Sequence, residues 1–328
     1  MSTTALVFLE QSAEGGIDEL SEQALSFARE LGAPLEAVLI GAADAAPSAA
    51  VLQRIGAHGV ATVHLAAHPA FGAYAPAAWA SAIAQAAQSV SAGAVIAAGS
   101  ERGNELLAHV AARTGRPMAA NCIALTPGAP AEVTRVRWGG SLLEHARLHG
   151  SPLLATVAPH AVAATPAAAP ADTAVAPFAP EIADADLVVR VVGRVPAAAG
   201  GVSLADADVV VSGGRGVGSA EGFSVIEELA ELLGGAVGCS RAVTSAGWRP
   251  HTDQVGQTGT KIAPEIYIAC GISGATQHMA GCKGAKKLLA INPDGEASIF
   301  ASADYAVIGD LHEVVPAISA ELRKARAT

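Results

Sequence analysis

Hydrophobic positions along the chain fall into short continuous runs separated by helical periodicities. Ala5-Leu6-Val7-Phe8-Leu9 is an apolar run of strand length. Ile17, Leu20, Ala24, Phe27 and Leu31 follow near helical spacing, and Gly32 is a stop signal. Leu35 to Ile40 is a second short run, and Trp79, Ile83 and Ala86 mark a second helical pattern. Ala94 to Ala98 reads as a buried strand ending in Gly99-Ser100, with a helix expected from about Gly103-Asn104-Glu105. Leu153 to Val157 is another strand. Alternating strand and helix patterns predict βαβ units and a mostly parallel sheet.

Residues 161–185 change character. Ala, Pro, Thr and Asp dominate, with Pro166, Pro170, Pro177 and Pro180, so a poorly structured connector or surface excursion is expected. Val188 to Val195 returns as a strand. Ala197-Ala198-Ala199-Gly200-Gly201 is a plausible hinge. The boundaries expected are therefore an N-terminal α/β domain over 1–197 and a second domain over 198–328.

The second domain shows the sharper pattern. Asp208-Val209-Val210-Val211-Ser212 is a strand, Gly213 to Gly218 a glycine-rich turn, and Phe223 to Leu233 a helix. Ala236 to Gly238 is a short strand. Ile266 to Cys270 is a buried one, with Gly271-Ile272-Ser273-Gly274 as a second glycine turn before a second helix. Leu288 to Asn292 and Tyr305 to Ile308 complete the series. Polar and glycine residues gather at the carboxyl ends of these strands, the edge at which open α/β sheets bind ligands.

Composition narrows the classes. A chain that is 51% hydrophobic and 15% charged can bury a large core. A net charge of −10 argues against nucleic acid or an anionic membrane surface as the main partner. Cys122, Cys239, Cys270 and Cys282 form no C-x-x-C pair and no zinc spacing, so reduced thiols are expected. The Ala-rich stretch 161–176 is broken by prolines and is no membrane span. With no charged n-region before the first strand, no signal or transit peptide is apparent, and a cytoplasmic location is expected.

Candidate chemistry lies in the second domain. The Gly213 to Gly218 turn offers backbone N–H groups where a helix starts, a setting that favours an anion. It is out of register with G-x-G-x-x-G, since Ser219 holds the last position, and a plain strand-to-helix turn would look similar. Arg215 is suited to a phosphate, or else is a solvated surface arginine. Arg241, after Cys239-Ser240, can pair with an anion, lie over a flat ring or form a structural salt bridge. Val255-Gly256-Gln257-Thr258-Gly259-Thr260-Lys261 lacks P-loop spacing and precedes a strand, which disfavours a nucleotide triphosphatase. Ser273-Gly274-Ala275-Thr276-Gln277-His278 sits at a helix start, with Ser273 as the expected cap and His278 in the first turn. There is no G-x-S-x-G elbow, no H-E-x-x-H and no conspicuous carboxylate pair, so no catalytic side chain and no metal ligand is assigned. Many donors and few acid–base groups suit a held redox cofactor better than hydrolysis.

In this order and spacing, these segments resemble the α subunit of electron transfer flavoproteins. The resemblance spans residues 205–320 and includes Val209 to Gly216, Ser240-Arg241-Ala242, Val255 to Gly259, Ala263 to Ala269, Gly271 to His278 and Ala290 to Asp294. Ala303-Asp304-Tyr305 and Asp310-Leu311 close it; over the first domain it rests on βα order and on Gly139-Gly140-Ser141-Leu142. The resemblance implies a Rossmann-like FAD-binding second domain. Arg215 and Ser240 would contact the pyrophosphate. Val255, Gly256, Gln257 and Thr258 would line the isoalloxazine and ribityl side, with Arg241 over the ring. Ser273, Gly274, Ala275, Thr276, Gln277 and His278 would bind the pyrophosphate and ribityl chain, bringing His278 to the N1–O2 edge. Asn292, Asp310 and Leu311 would hold the adenosine end. Thr276, Ala285, Ser298, Ala220 and Gly222 depart from the family's usual residues, none of them by removing a proposed contact.

The family also implies a heterodimer with a β subunit that holds AMP. It implies donors such as acyl-CoA dehydrogenases in fatty acid β-oxidation, and a membrane quinone oxidoreductase as acceptor. Arg241 and His278 are suited to stabilise an anionic flavin semiquinone. An NADH-using, electron-bifurcating subunit, a nicotinamide-dependent dehydrogenase and a non-redox nucleotide-binding subunit are the alternatives.

Overall fold

The structure, a computed structural model, describes residues 4–12, 15–140, 142–193 and 202–327. The hinge expected at 197–201 and the boundary at 197/198 lie outside them. Two compact units emerge, one built from residues 1–138 and 142–195 and the other from 139–141 and 196–328.

In the first unit the strands are β1 (Ala5–Phe8), β2 (Leu35–Gly41), β3 (Thr62–Ala67), β4 (Ala94–Ala98), β5 (Met118–Thr126), β6 (Ala131–Arg137), β7 (Leu142–Leu148), β8 (Leu153–Val157) and β9 (Ala174–Phe178). The helices are α1 (Glu19–Arg29), α2 (Ala49–Ala57), α3 (Pro76–Ser89) and α4 (Glu101–Thr114). They form one sheet in the order β7-β6-β5-β8-β4-β1-β2-β3-β9. All neighbours are parallel except β5–β6 and β6–β7, which extend one side as antiparallel ribbons. Side chains alternate between faces along each strand. Val7, Leu39 and Ile96 thus join Leu25 and Phe27 of α1 on one face, while Leu6, Phe8, Val38 and Val95 meet Ile83 of α3 and Leu106 of α4 on the other. Asp18 caps α1 by accepting from Leu20 N at 2.9 Å, and Ser100 caps α4 by accepting from Gly103 N at 2.8 Å.

Two expectations fail in this unit. The Ala/Pro-rich connector is not structureless, because Ala174–Phe178 pairs in parallel with β3. This strand lies at the sheet edge, where Pro177 interrupts no second ladder. The strand expected from Val188 is absent from 188–193, where Val188 and Val192 are exposed. Val191 N donates to Tyr74 O at 2.7 Å, but no ladder follows from it and the valine run stays irregular.

The second unit holds β10 (Val209–Gly213), β11 (Ala236–Cys239), β12 (Ile266–Cys270), β13 (Leu288–Asn292) and β14 (Tyr305–Ile308). Its helices are α5 (Ser224–Leu233), α6 (Arg241–Ser245), α7 (Thr276–Cys282) and α8 (Leu311–Ala327). The sheet order is β11-β10-β12-β13-β14, all parallel. Val211, Ile268 and Ile291 pack on α5 and α8 through Phe223, Ile226, Leu229 and Val315. Val210, Tyr267 and Ala290 face the opposite layer, with Ile262, Ile272 and Ile299. Burying each such large apolar side chain contributes roughly 1.5–3 kcal/mol. The fold is therefore α/β, with a mostly parallel sheet in one unit and a wholly parallel, doubly wound one in the other. Among the described residues no helix is long and apolar enough to cross a membrane.

Candidate functional site

The strand order of the second unit changes direction at β10, which has β11 on one side and β12 on the other. At such a switch point the loops leaving two neighbouring strands diverge and open a crevice. A cleft of about 500 Å³ lies there. Four adjacent strands feed it from their carboxyl ends: Arg215 and Gly216 after β10, Ser240, Arg241 and Ala242 after β11, Gly271 to Ser273 after β12, and Asn292 to Asp294 after β13. Gln254 to Thr258, Ala275, Gln277, His278 and Ala297 complete the wall.

The two glycine turns are built against each other. Gly214 N donates to Cys270 O at 2.8 Å and Gly216 N to Gly271 O at 3.1 Å. A Cβ on Gly214 would lie 2.1 Å from Gly271 O, so a larger residue would push the turns apart. This packing corrects one expectation. The N–H groups of Gly214, Gly216, Val217 and Gly218 all bond within the protein, and two short 3-10 turns, Arg215–Val217 and Glu221–Phe223, follow β10 before α5 begins at Ser224. The turn therefore offers no row of free N–H groups, and the group it sets in the cleft wall is the Arg215 guanidinium. Ser273 likewise does not cap α7. Its carbonyl accepts from Ile299 N and from Ser298 Oγ, and no side chain caps the helix.

The loop before β12 is held from several sides. Val255 N donates to Cys239 O at 2.9 Å, and Gln257 N to Gln277 O at 2.7 Å. Buried Gln254 bridges α6 and the loop, with Oε1 2.7 Å from Thr244 Oγ1 and Nε2 3.0 Å from Thr258 Oγ1. The loop carrying Thr258 is thereby tied to the helix carrying Arg241.

Charge in the cleft is unbalanced. Arg215 and Arg241 are exposed and join no ion pair among the described residues. Arg249, outside the cleft wall, is by contrast paired with Glu227 and Asp253 and stacked over Phe223. His278 is buried, and its Nε2 lies 2.7 Å from Tyr267 Oη. Its Nδ1 has no partner at normal hydrogen-bond geometry, and the Val255 backbone is a weak hydrogen-bonding neighbour of the ring. Burial lowers the His278 pKa to about 4, offset only in part by the Val255 backbone, so the ring is neutral near pH 7. Burial raises Tyr267 well above the usual phenol value.

Of the residues expected from sequence, Arg215, Ser240, Arg241, Val255, Gly256, Gln257, Thr258, Ser273, Ala275, Gln277, His278 and Asn292 line this one cleft. Gly274, Thr276, Asp310 and Leu311 do not. Gly274, at φ +85°, is packed on the Ile299 backbone. Asp310 caps α8 through His312 N at 2.9 Å, and Leu311 is buried in the core beneath. Asn292 is partly committed already: Nδ2 donates to Ile272 O and Oδ1 accepts from Asp294 N. Gln254 and Ala297 line the cleft unannounced by sequence. Gln254 directly precedes the Val255 loop, yet its bridging role depends on Thr244, ten positions before it, as well as on Thr258.

The chain fits two domain families. Residues 5–185 match the electron transfer flavoprotein domain, and residues 203–283 match the electron transfer flavoprotein FAD-binding domain. It is 38% identical over 316 residues to the electron transfer flavoprotein subunit alpha of Mycobacterium leprae, covering 96% of each chain. The corresponding Mycobacterium tuberculosis subunit is 38% identical over 336 residues, covering 98% of each. That of Paracoccus denitrificans is 57% identical over 119 residues, covering 36% of this chain and 39% of its own. The chain belongs to the electron transfer flavoprotein family, as an α subunit.

Proposed function

We propose that the cleft of the second unit holds one FAD, and that the chain carries electrons as half of a heterodimer. The observation that carries this reading is the cleft's unused polarity. Two unpaired guanidinium groups and one buried, unpartnered histidine nitrogen line a crevice at a switch point. A ligand with an anionic middle and a flat, acceptor-rich head would satisfy them. FAD has both, and when bound it supplies one-electron redox chemistry.

In this reading Arg215 and Ser240 hold the pyrophosphate, and Ser273 to His278 hold it and the ribityl chain. Val255 to Thr258 line the ring side. Arg241 lies over the ring and favours negative charge on it. Gln254 fixes the Thr258 hydroxyl while linking it to the Arg241 helix. Asn292 meets the adenosine end with the hydrogen-bonding capacity its two internal bonds leave over. Gly274 and Leu311, both buried, support the wall from behind, while Thr276 and Asp310 are exposed beyond it.

The working protein in this proposal is a cytoplasmic heterodimer whose β subunit holds AMP. Residues 198–328 form its flavin domain. Flavoprotein dehydrogenases such as acyl-CoA dehydrogenases donate the electrons, and a membrane quinone oxidoreductase accepts them. Co-purification with the untagged neighbouring subunit, followed by cofactor extraction, tests the scheme. One FAD and one AMP per dimer are expected. Two FAD would replace the simple carrier with a bifurcating one, and absence of flavin would refute the assignment.

A further inference from the structure

Tyr267 sits at the centre of the second sheet, on β12, with no solvent exposure. Its ring packs in an apolar layer that includes Val255, Ile262, Ile272, Ala290 and Ile299. Phenylalanine would serve this packing equally well. A buried hydroxyl is costly unless it is hydrogen-bonded. The bond it makes is to His278 Nε2, at 2.7 Å, with the two rings tilted by 30°. Ser212 is a second hydrogen-bonding neighbour of the phenol and lowers its pKa against the larger effect of burial; as a donor to the phenol oxygen it leaves the phenol proton for Nε2.

A neutral imidazole has one donor nitrogen and one acceptor nitrogen. The phenol keeps its proton and the imidazole is uncharged, as their burial requires. A phenol donating to Nε2 makes that nitrogen the acceptor and leaves the ring proton on Nδ1. His278 lines the cleft, and this Nδ1 is the buried atom without a partner.

We propose that Tyr267 is a positioning residue that fixes His278 in the Nδ1–H tautomer, so that the histidine presents a permanent hydrogen-bond donor to the flavin. This rests on the FAD reading for the identity of the acceptor, and on the chain's own geometry for the tautomer. Tyr267 acts through His278, from the layer beneath the cleft. The neutral donor favours electron density on the flavin edge it meets and needs no protonation event to do so. Without the phenol, the ring can carry its proton on either nitrogen, and the donor is present only part of the time.

The test uses the full chain with ring-¹⁵N histidine, first free of flavin. Wild type should show a pyrrole-type Nδ1 and a pyridine-type Nε2 for His278. Tyr267→Phe keeps the ring and should shift the population towards Nε2–H. A wild-type ring protonated on Nε2 would overturn the proposal, even if the variant failed to fold. So would a variant with an unchanged tautomer. FAD is then added to both proteins. Tyr267→Phe should still bind one FAD, with up to a tenfold weaker preference for reduced over oxidised flavin at the first electron, equivalent to about 59 mV. An unaltered potential would overturn the link to the cofactor. Failure of wild type to bind FAD would refute the cofactor reading by itself, whatever the tautomer.

Discussion

The two sheets treat their carboxyl edges in opposite ways. In the first unit the switch point lies between β1 and β4. Glu10, just beyond β1, accepts from Ser100, which caps the helix after β4, and Glu10 N donates to Ser21 Oγ. Asn104 donates to Gly99 O and accepts from Thr156, whose hydroxyl also accepts from Asn121 N. Arg102 lies over the Tyr74 and Trp79 rings. Of this set Asn121 Oδ1 stays unpartnered. In the second unit the equivalent edge leaves two arginines unpaired and His278 Nδ1 without a partner at normal hydrogen-bond geometry. One topology thus produces a self-satisfied edge and a receptive one. The difference lies in whether side chains after the strands find partners inside the unit.

The comparison can be broken most forcefully through His278. Its folded pKa of about 4 lies below the ordinary 6.5, so the unfolded chain binds more protons between those values. The neutral ring's contribution is complete above about pH 6.5 and is lost as pH falls towards 4, by about 3 kcal/mol in all. Denaturant titrations of the flavin-free chain should show this acid loss, and His278→Asn should flatten it. An equally steep loss in the variant would mean that other groups carry it.

Arg215→Ala removes a charge-assisted contact and should weaken FAD binding roughly 10–150-fold, as a loss of about 1.5–3 kcal/mol requires. Flavin fluorescence titration measures this. Arg241→Ala should lower the first reduction potential by roughly 60–130 mV, read by spectroelectrochemistry. The smallest effect belongs to the first unit. Burial raises the Glu10 pKa, so its cost appears as pH rises through that value. Glu10→Gln should slightly relieve this loss in thermal melts at neutral pH and leave flavin affinity unchanged. The thiols supply a control for integrity: all four are buried and their pKa values are pushed up to about 12. A thiol reagent should label none of them until the chain unfolds.

The strand–turn–helix series of the second unit was legible because each strand is an apolar run ended by glycine or a polar residue. Arg215, Ser240, Ser273 and Asn292 were legible for the same reason, since they end or follow strands, whereas Val255 to Thr258 precede β12 and were legible through the family resemblance. Partners distant in sequence were not. Gln254 gains its role from Thr244 and Thr258, and Ser273 loses its expected cap role because α7 starts at Thr276, which puts Ala275 in the N-cap position. Asp310 and Leu311 adjoin a strand end too, but there the chain enters α8 and turns Leu311 into the core. In the first unit Ala174–Phe178 escaped notice because proline marks a breaker locally and is tolerated only by an edge position.

The most direct test sets the two edges against each other in one titration of FAD into the flavin-free chain. Wild type and Arg102→Ala should each bind one FAD with equal affinity, while Arg215→Ala combined with Arg241→Ala should lose most of it. Equal binding by all three proteins, or loss on Arg102→Ala alone, would contradict the assignment of the flavin to the second unit's cleft.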